Sequence, residues 1–197
     1  MARKNLLILL LWGAAIVALG AFLWVRVLEP RMTQTVGDTL GQGDYTLTTT
    51  EGDTFTQDSL AGAPSAVFFG FTHCPDVCPT TLGDILTWQE ELGEEGSPLR
   101  VFFITVDPER DSVDALRDYV SWVPGVQGVS GPREEIDKAI RAFRIYASKV
   151  PLEDGGYTMD HSASVLLFDE DGRFYEPVGY QEDPDRVLSK LRHLTQG

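Results

Sequence analysis

The chain has 197 residues, 43% apolar and 23% charged, a balance that supports a packed core and excludes wholesale disorder. Its 16 basic and 30 acidic residues give a formal charge of −14; all the acids follow position 26, so residues 27–197 carry −17. Phosphate backbones repel such a body, which excludes nucleic acid as a partner. Two cysteines are too few to build a disulfide scaffold.

From Asn5 to Val25 the chain is uncharged over 21 residues. As a helix this run rises about 31 Å, enough to cross a hydrocarbon core of about 30 Å, so residues 1–26 read as a transmembrane anchor. Trp24 stands where an interfacial belt residue belongs, with Trp12 in mid-span. Ala18-Leu19-Gly20 offers a small-x-small pattern, so a cleaved signal peptide is the alternative. Arg3 and Lys4 precede the run while Arg26 and Arg31 follow it, a nearly balanced count. The short leading tail points to an exported C-terminal body. Residues 27–43 lack apolar periodicity and read as a linker, leaving 44–197 as one domain.

Within that domain, residues 45–49 and 54–56 flank Glu51-Gly52-Asp53 as a small hairpin. Residues 66–71 form a nearly continuous apolar run between Pro64 and Pro75, the mark of a strand buried on both faces. Leu82, Ile85, Leu86 and Leu92 then share a helical stripe, with Pro79 near its first turn. Residues 100–107 read as a second buried strand. Asp111 is placed to cap a helix bearing Val113, Leu116 and Val120, and the Gly/Pro-rich stretch 124–132 reads as a separator. A third helix carries Ile136, Ile140 and Phe143. Residues 164–168 and 173–180 form two strands about the Asp171-Gly172 turn, and Asp183-Pro184 opens a last helix with Val187, Leu188, Leu191 and Leu194. The order predicts an α/β, thioredoxin-like domain: a central mixed sheet flanked by helices.

Cys74 and Cys78 fall between the first buried strand and the next helix, where unpaired amides and the helix dipole favour thiolate. The pair can close a disulfide or chelate a soft metal. A purely structural disulfide would enclose too short a loop to stabilise much. His161 precedes the strand at 164–168, on the segment that faces the cysteines in this topology, where oxidoreductases of the fold carry a proline. Two thiolates and an imidazole suit copper, or zinc with a fourth ligand. Met159 is a packing residue that could supplement the set. His73 points away or tunes the thiolate and could compete as ligand, His193 is a surface residue, Asp76 is an exposed neighbour that could play an accessory role, and Asp160 could orient His161. Asp107-Pro-Glu-Arg-Asp111 reads as capping plus a surface ion pair.

Together the N-terminal span, Phe-Gly-Phe-Thr-His-Cys-Pro-Asp-Val-Cys-Pro from Phe69 to Pro79, Val106-Asp-Pro-Glu-Arg-Asp111 and Asp160-His161-Ser162 resemble the Sco/SenC family of membrane-anchored copper proteins required for cytochrome c oxidase assembly. Gly62-Ala-Pro64 departs from it, since relatives often carry a basic residue between Gly and Pro. The resemblance implies that Cys74, Cys78 and His161 bind copper, as Cu(I) or Cu(II). It implies delivery to the binuclear centre of oxidase subunit II, reduction of that centre's cysteines, or both. It also implies a periplasmic copper donor, a thiol reductant for the Cys74–Cys78 redox pair, and residence in the bacterial inner membrane with the C-terminal domain in the periplasm. A flexible histidine loop over 153–162, hinged at Gly155-Gly156, would close on the thiols. The rival reading is a thiol–disulfide oxidoreductase with Cys74 attacking and Cys78 resolving. A thiol peroxidase fits less well, because Phe71 stands where those enzymes place threonine.

Overall fold

The computed structural model describes residues 2–24, 36–94, 99–153 and 155–196, in two compact units, Met1–Val36 and Gly37–Gly197. The first unit contains helix α1 (Ala2–Leu23). The expected membrane span coincides with α1, but Val25 and the side chains of 6–11 and 23 lie outside the described residues. Among the described residues no helix is long and apolar enough to cross a membrane.

The second unit is built on a mixed seven-stranded sheet. Its strands are β1 (Leu47–Thr49), β2 (Thr54–Phe55), β3 (Ser65–Gly70), β4 (Arg100–Thr105), β5 (Val126–Ser130), β8 (Val165–Phe168) and β9 (Phe174–Val178), ordered β2-β1-β5-β4-β3-β8-β9. β3, β4 and β5 run parallel; the β1–β5, β3–β8 and both hairpin pairings are antiparallel. All six residues of β3 are buried, as its unbroken apolar run predicts. Helices α2 (Val77–Glu94), α3 (Val113–Val120), α4 (Arg133–Ala142) and α5 (Pro184–Gln196) bury the stripes read from the sequence, among them Leu82, Ile85 and Leu92 on α2 and Val187, Leu191 and Leu194 on α5. The expected thioredoxin-like α/β arrangement of a mixed sheet flanked by helices is present.

The structure corrects three local readings. Residues 126–130, inside the expected separator, are strand β5, an interior strand of the sheet. Gly128 is required there: a Cβ would sit 2.8 Å from both Leu116 Cβ and Thr50 Cγ2, so the glycine marks close packing. Asp111 does not cap α3; Ser112 does, accepting from the Ala115 amide at 3.2 Å, while Asp111 is fully buried. The expected histidine loop is largely a two-stranded hairpin, β6 (Ala147–Pro151) with β7 (Tyr157–His161), separate from the main sheet.

Candidate metal centre

The end of β3 and the start of α2 set the two thiols. Cys78 lies in the first turn of α2 and is fully buried, whereas Cys74 in the preceding turn is partly exposed; both are free thiols. Gly70, the last residue of β3, makes the space for Cys78: a Cβ there would lie 2.9 Å from Cys78 Sγ and 2.7 Å from the Phe103 ring. The Cys78 amide donates to Cys74 Sγ at 3.3 Å. That amide is one of the unpaired donors at the helix start, so the helix holds the outer sulfur as an anion.

The two thiols are electrostatically unlike. Cys74 is lowered to about 4, chiefly because the Cys78 side chain hydrogen-bonds its thiolate; burial opposes this, while His161 and the amides of Cys78 and Asp76 assist. Cys78 is pushed up for the reciprocal reason, its side-chain hydrogen bond with Cys74, reinforced by burial. The pair therefore shares one proton, held on the inner sulfur.

His161 ends β7. Alternation along that strand puts Tyr157, Met159 and His161 on one face. Its Nδ1 lies 2.8 Å from the Ser162 carbonyl, to which Nδ1–H donates, and this turns Nε2 toward the thiols, 3.7 Å from Cys78 Sγ. Phe71 packs edge-on to the imidazole at 5.7 Å and 89°, with Phe68 behind it at 6.5 Å. The ligand atoms of Cys74, Cys78 and His161 all lie within 4.8 Å of one another. With bonds of about 2.3 Å to sulfur and about 2.0–2.1 Å to nitrogen, a trigonal ion separates its donors by about 3.8–4.0 Å. The triad fits such an ion after a closure of at most about 1 Å.

Two buried carboxylates brace these elements, which overturns the capping-and-surface-pair reading of 107–111. Asp111 accepts from the Thr72 amide (3.0 Å), the Thr72 hydroxyl (2.6 Å) and the Thr105 hydroxyl (2.7 Å), pinning the cysteine turn to the end of β4. Asp107 takes Arg110 Nε and the Tyr157 hydroxyl, the latter at 2.9 Å, and so docks the histidine hairpin. Arg110 lies over the Tyr157 ring at 3.9 Å and donates to the Tyr157 carbonyl at 3.0 Å. At the hairpin's outer strand, Lys149 pairs with Glu109, which also holds Arg133.

The other sequence candidates fall outside the triad. Met159 is buried and lines a cavity of about 320 Å³ with Ile140, Ala147 and Lys149. His193 is exposed on α5 and bonded to the Ser189 carbonyl. Asp76 and Asp160 are exposed, and the carbonyl of Ser162 stands where Asp160 was considered as the partner of His161. Gly70, Phe71 and Asp111 were not read as site residues. The signal that could have found Gly70 was a glycine at the end of an otherwise bulky apolar strand.

The SCO1/SenC family model matches residues 33–196. The chain is 35% identical over 201 aligned residues to the mitochondrial SCO2 homolog of Danio rerio, covering 97% of this chain and 71% of that protein. It is 34% identical to the human mitochondrial SCO1 homolog, covering 83% of this chain but 56% of the relative. Among solved structures it is similar to copper-bound ScoI of Bradyrhizobium japonicum, with 42% identity, a TM-score of 0.70 and coverage of 78% of this chain and 99% of that one. It is also similar to copper-bound yeast Sco1, with 32% identity, a TM-score of 0.72 and coverage of 80% and 90%.

Proposed function

The chain belongs to the SCO1/SenC family, and we propose that it is a membrane-tethered copper metallochaperone for the binuclear centre of cytochrome c oxidase subunit II. The observation that carries this reading is the convergence of Cys74 Sγ, Cys78 Sγ and His161 from a helix start and a separate hairpin into one cluster whose ligand atoms lie within 4.8 Å of one another. Relatives at 42% and 32% identity are described with copper bound, which supports copper as the cargo. Cys74 stands ready as a thiolate, Cys78 yields its proton as the ion seats, and His161 presents Nε2, whose direction the Ser162 carbonyl fixes. Release follows when donors of the acceptor displace these three one at a time.

Residues 1–26 anchor the protein in the bacterial inner membrane with the domain in the periplasm. In support, α1 has 22 residues, about 33 Å of rise, and Trp12, Ile16, Val17, Leu19 and Phe22 stand exposed along it, with Trp24 just past its end. A periplasmic copper donor loads the site and a thiol reductant keeps the cysteines open in that oxidising compartment.

A second reading, reduction of the acceptor's disulfide by Cys74 and Cys78, is favoured by the shared proton, which leaves the exposed sulfur nucleophilic. One experiment separates the two. Cu(I) affinity is measured by chelator competition on the reduced protein and on His161→Ala. One copper per chain, weakened at least about tenfold (about 1.4 kcal/mol) in the variant, is the expected result. Affinity indifferent to His161 refutes the three-donor site and leaves the dithiol reaction as the account of the pair.

A further inference from the structure

His73 is the one histidine beside the triad that the cluster does not absorb. Its side chain is 57% exposed, yet its Nδ1 has a partner. Nδ1 lies 2.9 Å from Thr72 Oγ1, and the single hydrogen of that hydroxyl is directed at Asp111 Oδ1, 2.6 Å away. Asp111 is fully buried and accepts that hydrogen together with those of the Thr72 amide and the Thr105 hydroxyl. Thr72 Oγ1 must then accept, and His73 Nδ1–H must donate. The chain Asp111–Thr72–His73 fixes the tautomer, leaving the lone pair on Nε2 of this exposed ring.

The position matters because of how the triad is exposed. Cys78 is fully buried behind Gly70 and Phe103, so copper on a carrier must be handed in across the partly exposed Cys74 and His161. Between Thr72 and Cys78 the exposed side chains that carry a donor atom are His73 and Asp76. A carboxylate is a hard donor and a poor match to Cu(I); an imidazole nitrogen suits it.

We infer that His73 is a transient copper donor, an exchange ligand that takes copper from the carrier and passes it to Cys74 on loading, and reverses the path on release. This rests on the copper reading of the triad. The step exchanges bonds without redox change. The Cu–Nε2 bond to His73 forms as one carrier–Cu bond breaks. Cys74 Sγ, already a thiolate, then binds copper. The bonds to Cys78 and His161 form as those to His73 and the last carrier donor break, and the Cys78 proton passes to water. Copper remains Cu(I) throughout.

A donor bound only in passing stabilises the transition state for exchange and not the end states, so it changes both rates and leaves their ratio alone. The test follows Cu(I) transfer between a coloured Cu(I)–bicinchoninate complex and the full reduced chain by stopped flow, in both directions. Wild type is compared with His73→Ala and with His73→Gln, which keeps a polar partner for Thr72. The expected result is at least a tenfold fall in loading and in unloading rates for both variants, with stoichiometry and equilibrium affinity within twofold of wild type. Unchanged rates overturn the inference. So does weakened affinity with faster unloading, which would make His73 a resident ligand or a structural support. Weak wild-type binding, or binding that survives His161→Ala, fails the copper reading itself and is told apart because the affinities are measured in the same titrations.

Discussion

Gly70→Ala tests whether the close packing behind Cys78 sets the metal centre. The backbone of Gly70 belongs to a buried strand and a Cβ is sterically compatible with it; the obstacle is what that Cβ meets. It would lie 2.9 Å from Cys78 Sγ and 2.7 Å from Phe103 Cε2 and Cζ. Ordinary contact begins near 3.4 Å, so the sulfur must retreat about 0.5 Å and the ring about 0.7 Å. Phe103 is held between Phe68 and Tyr119, each 5.6 Å away, and has little room to yield. Overpacking of this kind costs about 1–3 kcal/mol of stability. A half-ångström displacement of one donor reaches the limit of about 0.5 Å within which a preorganised site performs. We therefore expect Cu(I) affinity to fall at least about tenfold, about 1.4 kcal/mol. The matched control is Gly128→Ala, whose Cβ meets Leu116 and Thr50 at 2.8 Å without touching the triad. Urea unfolding and Cu(I) competition are run on both. Equal destabilisation with affinity lost only in Gly70→Ala is expected; wild-type affinity in Gly70→Ala would refute the argument.

Further outcomes follow from the same geometry. Cys74, lowered to about 4 by the Cys78 hydrogen bond, should react with iodoacetamide throughout pH 5–8 and lose reactivity only as pH falls through about 4. A reactivity midpoint near 8 would remove the shared-proton picture. Because Cys74 is already ionised at neutral pH and Cys78 is raised, loading Cu(I) between pH 7 and 8.5 should release one proton, so the logarithm of the apparent affinity rises by one per pH unit. A slope of two would show that both cysteines are thiols in the apo protein. Tyr157→Phe deletes the 2.9 Å hydrogen bond to the buried Asp107 carboxylate, an interaction of about 1.5 kcal/mol. Amides of β6 and β7 should then exchange roughly tenfold faster with β3 and β4 unchanged, and unaltered exchange would show that other contacts dock the hairpin.

The donors were legible in the sequence because their chemistry is local. Two cysteines after a buried strand and a histidine before another announce themselves by residue type and flank, and the apolar runs of 66–71 and 100–105 fix which strands lie innermost. What supports the donors was not legible, because it depends on contacts between residues distant in the chain. Asp111 looks like a helix cap from its neighbours alone; only the fold brings Thr72, 39 positions away, onto its carboxylate. Tyr157 reaches Asp107 across 50 positions. Strand β5 was missed because Gly128 and the bordering prolines resemble a turn, although the glycine is there to admit Leu116 and Thr50.

The same division explains why the histidine can belong to a separate hairpin without loosening the site. β6 and β7 add no strand to the main sheet, so the sheet's hydrogen bonds do not position His161. Its placement falls instead to side chains: Tyr157 on the Asp107–Arg110 pair and Lys149 on Glu109. Side-chain latches of this kind are individually worth about a kilocalorie or two, far less than a shared strand. A hairpin held by them can open without unfolding the sheet. Cys74 and Cys78 are anchored the opposite way, between buried β3 and the first turn of α2, with Asp111 beneath. The donor mounted to yield is therefore the imidazole, and within the triad ligand exchange on release should begin with His161, the thiols following.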